Sequence, residues 1–114
     1  MANTLSLRDI KTDEFNAVFY SGGHGAFWGL AENAHSMTLI ESMLSTGKPV
    51  GMVCHAPGAL CHVIVSDGNS VVRGRSVTGF CNTEEMASGL TDVVPFLVED
   101  MPRDNGDQYT KADD

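Results

Sequence analysis

The sequence predicts an α/β domain, a parallel sheet covered by helices. Three observations carry this: short apolar runs alternate with segments of helical periodicity, the first run ends in a cluster of glycines, and the second leads straight into a segment opened by proline. The first ten residues carry little periodicity and the stretch from Lys11 to Asn16 is polar, so the first strand is the run Ala17, Val18, Phe19, Tyr20. It stops at Ser21-Gly22-Gly23-His24-Gly25, where glycine allows a sharp turn and a close approach of the backbone to another segment. Residues 33–46 form a helix with one buried face. Met37, Ile40, Met43 and Leu44 recur there at helical spacing, Asn33 or Ser36 can cap the start, and Gly47 and Pro49 mark the stop. Residues 50–53 form a second strand ending at Cys54, and 57–65 read as helix, with Pro57 near a start where its missing N–H is tolerated. A strand at 75–80, a short helix at 83–89 and a helix at 92–100, with Pro95 in its first turn, continue the alternation.

At 114 residues and 42% apolar, the chain has room for one domain, residues 1–114, and one core. The acidic, polar stretch from Arg103 to Asp114 reads as a mobile tail. Seven Lys and Arg against fifteen Asp and Glu give a net charge of -8, which repels phosphate backbones and anionic lipid, so neither nucleic acid nor a membrane is expected as partner. No apolar run is long enough to span a bilayer and the N-terminus lacks the order of a signal peptide, so a cytoplasmic location is expected. Cys54, Cys61 and Cys81 cannot all pair within one chain, so at least one thiol is free.

The sharpest local pattern is Val50-Gly51-Met52-Val53-Cys54-His55-Ala56-Pro57-Gly58-Ala59, a buried strand entering a helical segment with cysteine at the junction. That is the sequence of a nucleophile elbow, which lifts the thiol out of the sheet toward the positive end of the next helix and favours the thiolate. The same pattern fits a buried cysteine at an ordinary strand end. His55 adjoins the thiol as a candidate base, or is an exposed loop histidine, and a base needs a carboxylate on its other nitrogen. Glu84 and Glu85 are the candidates, although by spacing alone Asn82 with Glu85 three residues on is better read as a capping pair. Cys54-His55 and Cys61-His62 repeat a metal-ligand dipeptide, but Cys54 precedes the helical segment and Ala59, Leu60, Val63 and Ile64 place Cys61 in packing. The turn Gly22-Gly23-His24-Gly25 can offer backbone N–H groups to a developing oxyanion, and no Walker or dinucleotide spacing is present.

Taken together, Gly22-Gly23-His24-Gly25, Trp28-Gly29-Leu30-Ala31-Glu32-Asn33, Gly47-Lys48-Pro49-Val50, Val53-Cys54-His55-Ala56-Pro57 and Thr78-Gly79-Phe80-Cys81-Asn82-Thr83-Glu84-Glu85 closely resemble the ThiJ/PfpI family. The stretch Leu90-Thr91-Asp92-Val93-Val94-Pro95-Phe96-Leu97-Val98-Glu99-Asp100 follows in the family's order, and the resemblance runs from about Leu5 to Tyr109. It is strongest to the branch of small stress-inducible chaperones and cofactor-independent glyoxalases, related to class I glutamine amidotransferases, which implies a flavodoxin-like parallel sheet flanked by helices. By position the resemblance implies Cys54 as nucleophile, His55 as its adjacent histidine and Glu85, ahead of Glu84, as the residue that orients it. Gly23 with the backbone of His55 would bind the oxyanion, and Gly22 and His24 would line the same pocket. The implied reaction is conversion of methylglyoxal or a related aldehyde to a hydroxy acid, with no metal and no glutathione. Two other functions fit the same resemblance: a non-catalytic binding, chaperone-like or redox-sensing module with an oxidisable Cys54, and an amidase or peptidase.

Family members are longer. The chain is expected to begin where their third strand starts, without the segment that places a glutamate beside the nucleophile, and to lack their final strand and helix. The sheet is therefore expected to be incomplete, Pro102 to end its helix early, and the exposed apolar face to be covered in a homo-oligomer, a symmetric dimer first of all.

Overall fold

A computed structural model of the chain describes residues 3–113, and its core is built on two short parallel strand pairs. Strand β1 (Val18–Tyr20) pairs with β2 (Val50–Met52) in the register Val18 to Val50, Phe19 to Gly51 and Tyr20 to Met52. A parallel pair needs a crossover between its strands. Here it contains a single helical turn, α1 (Ala26–Gly29), and the longer α2 (Ala34–Ser45). Asn33 caps α2, its Oδ1 accepting from the N–H groups of His35 (2.9 Å) and Ser36 (3.1 Å), as its position before the apolar periodicity predicts. The buried face of α2 is Ser36, Leu39, Ile40 and Met43, with Met37 and Leu44 at its margins. Ile40 and Met43 are wholly buried, and such burial stabilises by about 2 to 3 kcal/mol per side chain. Tyr20 closes this core from the sheet side, its hydroxyl 3.0 Å from Ser36 Oγ.

Alternation along the strands sends Val18, Tyr20, Val50 and Met52 toward the core and leaves Phe19, Gly51 and Val53 on the other face. Phe19 is 67% and Val53 48% exposed, so this face is apolar and open. A Cβ at Gly51 would lie 2.8 Å from the Phe19 ring, so the glycine gives that ring its place.

The second half departs from the expected alternation in three places. The helix expected at 57–65 is a 3-10 turn, Ala56–Leu60, because the β-branched run Val63, Ile64, Val65 favours extended backbone, and Ile64 bridges Ser70 instead. The strand expected at 75–80 is ladder-paired only over β3 (Ser76–Val77). Past it, the Phe80 N–H donates to Cys54 O (3.1 Å) and ties the two strand pairs together. Helix α3 (Asn82–Ser88) matches the short helix expected at 83–89. The helix expected at 92–100 is a turn: Val93 and Val94 N–H bond back to Leu90 O, but Pro95 has no N–H to continue the ladder, and Phe96 turns inward to meet Phe27. The helix forms only at α4 (Asp100–Asp104); Pro102, expected to end it, sits in its first turn, where a missing N–H is tolerated, and the helix runs on to Asp104.

The stretch from Arg103, expected as a mobile tail, is held to the body of the fold. Strand β4 (Gln108–Tyr109) pairs in parallel with β3, Tyr109 donates its hydroxyl to Gly79 O (2.8 Å), and Arg103 bonds Glu99 (2.8 Å) while lying over the Tyr109 ring. Among the described residues no helix is long and apolar enough to cross a membrane.

Candidate active site

The chain turns sharply at Cys54. Its φ is +60°, left-handed backbone that costs an L-residue about 1 to 2 kcal/mol. The surrounding backbone imposes it. Val53 N–H bonds Tyr20 O (3.3 Å), Ala56 N–H bonds Val53 O (3.1 Å), and Cys54 O accepts from Phe80. Gly22, at φ +90°, presses against the far side of the turn, where a Cβ would come within 2.7 Å of Val53 O and 3.0 Å of Cys54 Cβ. The glycine turn after β1 thus packs on the cysteine turn after β2. The expected elbow is present, though followed by a 3-10 turn rather than an α-helix.

Cys54 is half-buried, and its Sγ lies 3.1 Å from His55 Nδ1. His55 is 1% exposed, enclosed by the rings of Phe80 (4.1 Å between centroids), His24 (3.9 Å) and Phe27 (5.4 Å). Its Nε2 lies 2.5 Å from Glu85 Oε2. The other carboxylate oxygen, Oε1, meets His24 Nε2 at 3.1 Å and accepts from Ser88 Oγ at 2.9 Å. Cys54, His55 and Glu85 therefore form one continuous chain of polar contacts, and His24 joins it from the side.

Glu85 belongs to this cluster and not to the helix cap that its spacing from Asn82 suggests. Glu84 takes the cap, its Oε2 accepting from Cys81 N–H (2.8 Å), which frees Glu85 to turn inward at 2% exposure. Burial pushes the Glu85 carboxyl up, but hydrogen bonds from His55, His24 and Ser88, with the charge of His55, outweigh it and hold the group below its ordinary value. A carboxylate only accepts, so both histidines present Nε2–H to Glu85, and whichever ring carries one proton has its lone pair at Nδ1.

Among the described residues, the Gly23 and His55 backbone N–H groups donate to no other group, which leaves both available at the elbow. An open cleft of about 420 Å³ reaches Cys54 between Val53, Thr78, Phe80 and Glu84; of the glycine turn, Gly22 packs against Cys54, and His24 meets His55 and Glu85. Ser88 and the ring wall of Phe27, Phe80 and Phe96 escaped sequence reasoning. Ser88 stands three residues beyond Glu85 on one helix, the spacing at which side chains meet.

His24, His55 and Glu85 offer ligand atoms within 4.8 Å of one another, a donor set suited to a divalent transition metal, but each atom is engaged in the hydrogen bonds just described. Cys61 and His62 do not join this group, so the repeated Cys-His dipeptides form no common site.

Comparison with known proteins places the chain in a family. A model of the DJ-1/PfpI family matches residues 1–95. The glutathione-independent glyoxalase hsp3101 of Schizosaccharomyces pombe is 32% identical over 98 residues, covering 78% of this chain and 40% of the relative. The glutathione-independent glyoxalase HSP31 of Saccharomyces cerevisiae is 23% identical over 114 residues, covering 96% and 48%. Among solved structures, the Rapid Encystment Protein 24 KDa of Francisella tularensis superposes with a TM-score of 0.90 at 38% identity, over 95% of this chain and 48% of that one. Glyoxalase III of Candida albicans shares the fold, with a TM-score of 0.88 at 20% identity over 95% and 47%. The chain thus spans between 40 and 48% of the length of these curated relatives. Motifs, fold and matches converge: the chain belongs to the DJ-1/PfpI family.

Proposed function

We propose that the chain carries the thiol chemistry of a glutathione-independent glyoxalase, acting on methylglyoxal or a related reactive aldehyde. The observation that carries this is the unbroken relay from Cys54 Sγ through the His55 ring to Glu85, set on a strained turn that opens to a cleft. The names of the relatives support the same reading.

In this reading His55 Nδ1 takes the Cys54 proton as the sulfur adds to the aldehyde carbon, and Glu85 stabilises the imidazolium that forms. The Gly23 and His55 N–H groups receive the developing alkoxide. His55 returns the proton to that oxygen, giving a thiohemiacetal. The carbon-bound hydrogen then moves as a proton to the neighbouring carbonyl carbon, which converts the adduct to a thioester. Water releases the hydroxy acid. The aldehyde carbon is oxidised and its neighbour reduced, so electrons balance within the substrate.

The test is methylglyoxal consumption without glutathione, with lactate detection, for the chain and its Cys54→Ala variant. Lactate from the first and not the second is the expected result; no lactate from either, with both folded, refutes the proposal.

A further inference from the structure

We propose that Glu84 sets the charge selectivity of the Cys54 cleft: it holds back electrophiles that carry a carboxylate beside the reacting carbon and lets uncharged ones through to the thiol. The extension to substrate rests on the glyoxalase reading, where it narrows the class to α-oxoaldehydes whose second substituent is uncharged.

The two adjacent glutamates have different tasks. Glu85 turns inward at 2% exposure, and its carboxylate is engaged by His55, His24 and Ser88. Glu84 stays outside, on the wall of the cleft that reaches Cys54. The other walls are Met52, Val53, Thr78, Gly79 and Phe80, so Glu84 carries the only fixed charge among them and no cationic side chain lines the cleft. Walls that are mostly apolar focus the field of such a charge along the opening. Lys111 shares a second cleft with Glu84, of about 280 Å³, which Cys54 does not line.

The charge is also held in place relative to the thiol. Glu84 Oε2 accepts from Cys81 N–H at 2.8 Å, a cap that pins the carboxylate at the start of α3. One residue earlier, Phe80 N–H donates to Cys54 O at 3.1 Å, so the capped segment is tied directly to the elbow. Thiol and carboxylate thus share one short run of backbone contacts and one opening. A carboxylate-bearing reagent that enters meets like charge with no cation to offset it, whereas an uncharged reagent of the same size meets none of this repulsion.

The test pairs iodoacetamide with iodoacetate, which share a leaving group and differ in charge, with Cys54 labelling separated from Cys61 and Cys81 by peptide mass spectrometry. The readout is the ratio of the two rates, because removing a negative charge eases thiolate formation and raises both rates alike. Glu84→Gln keeps an acceptor for the cap. In this variant iodoacetate is expected to gain about 3- to 10-fold on iodoacetamide, the size of one like-charge repulsion at short range in a water-filled opening. Glu84→Asp keeps the charge and should keep the original ratio within about twofold. The original chain supplies a reading that needs no variant: its preference for iodoacetamide over iodoacetate at Cys54 should exceed that of mercaptoethanol by about threefold or more. A glutamine variant whose ratio stays within about 1.5-fold of the original overturns the proposal. So does an aspartate variant that changes as much as the glutamine one, which would assign the effect to the cap rather than to the charge. If glutamine unfolds the chain by thermal melting, the comparison with mercaptoethanol decides, and an equal preference there overturns the proposal. Alkylation needs no turnover, so a chain that makes no lactate refutes the glyoxalase reading while the labelling ratios still decide the role of Glu84.

Discussion

Replacing Glu85 by glutamine isolates what the buried carboxylate does, because size and shape are kept and one acceptor oxygen becomes a donor amide. Glu85 faces donors on both sides: His55 at 2.5 Å on one oxygen, and His24 at 3.1 Å with Ser88 at 2.9 Å on the other. Whichever way the amide turns, its NH2 meets a donor. The orientation that keeps two hydrogen bonds puts the NH2 against His55 Nε2–H. His55 escapes by moving its proton to Nδ1, where it points at Cys54 and can no longer accept from the thiol. Holding the productive tautomer against this arrangement forfeits a charged hydrogen bond, about 1.5 to 3 kcal/mol, and leaves a buried donor unpaired, about 1 to 3 kcal/mol more. The sum, about 2.5 to 6 kcal/mol, corresponds to a loss of about 10²- to 10⁴-fold in base-assisted reactivity. Labelling of Cys54 by iodoacetamide at neutral pH, followed by peptide mass spectrometry to separate it from Cys61 and Cys81, measures this directly. The acid limb of stability gives a second readout. Because the folded pKa of Glu85 lies below its unfolded value, its contribution is complete above about pH 4.3 and is lost as pH falls through the folded value, so the variant should show a shallower acid dependence. Labelling within about twofold of the original chain, with an unchanged pH profile, would refute the idea that Glu85 sets the His55 tautomer.

Gly22→Ala should destabilise by more than about 2 kcal/mol and abolish thiol reactivity, since its Cβ meets Val53 O at 2.7 Å; Gly23→Ala, with open space, should cost only the about 1 kcal/mol of its left-handed backbone. Thermal melts of the two variants compare these directly. Asp107→Asn should raise the melting temperature at neutral pH by about 4 °C per kcal/mol gained. Both Asp107 carboxylate oxygens are buried without a hydrogen-bond partner, and burial pushes the carboxyl up against the opposing charge of Arg103, so the ionised form is penalised as pH rises through its range. We also propose that the exposed Phe19 and Val53 face joins a second copy; light scattering should show a dimer that Phe19→Lys dissociates, and a monomer at all concentrations would count against it.

The cysteine elbow was legible because it is local: an apolar strand, a cysteine, small residues and proline follow one another in the chain. The first strand, the second strand and the Asn33-capped helix were legible for the same reason, each being set by periodicity and a cap. Glu85 was not, because spacing offers both glutamates to the cap and only tertiary packing decides that Glu84 takes it. The meeting of His24 with Glu85 joins residues 61 positions apart and leaves no local trace. Likewise, Pro95 looked tolerable in a first helical turn until the inward pull of Phe96 onto Phe27, at 4.8 Å, made the segment a bend. Nothing periodic announces the Tyr109 hydroxyl on Gly79, which holds a stretch whose composition alone suggests solvent.

The left-handed backbone at Cys54 separates the mechanics of this residue from its chemistry. Alanine there removes the sulfur but inherits the dihedral at +60°, so the turn stays loaded; glycine removes the sulfur and accepts the same dihedral freely. Cys54→Gly should therefore melt above Cys54→Ala, by up to about 1 kcal/mol of relieved torsion, with both equally inert toward alkylation at that position. The side chain acts like a cocked lever whose tension belongs to the hinge, and the two substitutions weigh hinge and lever independently.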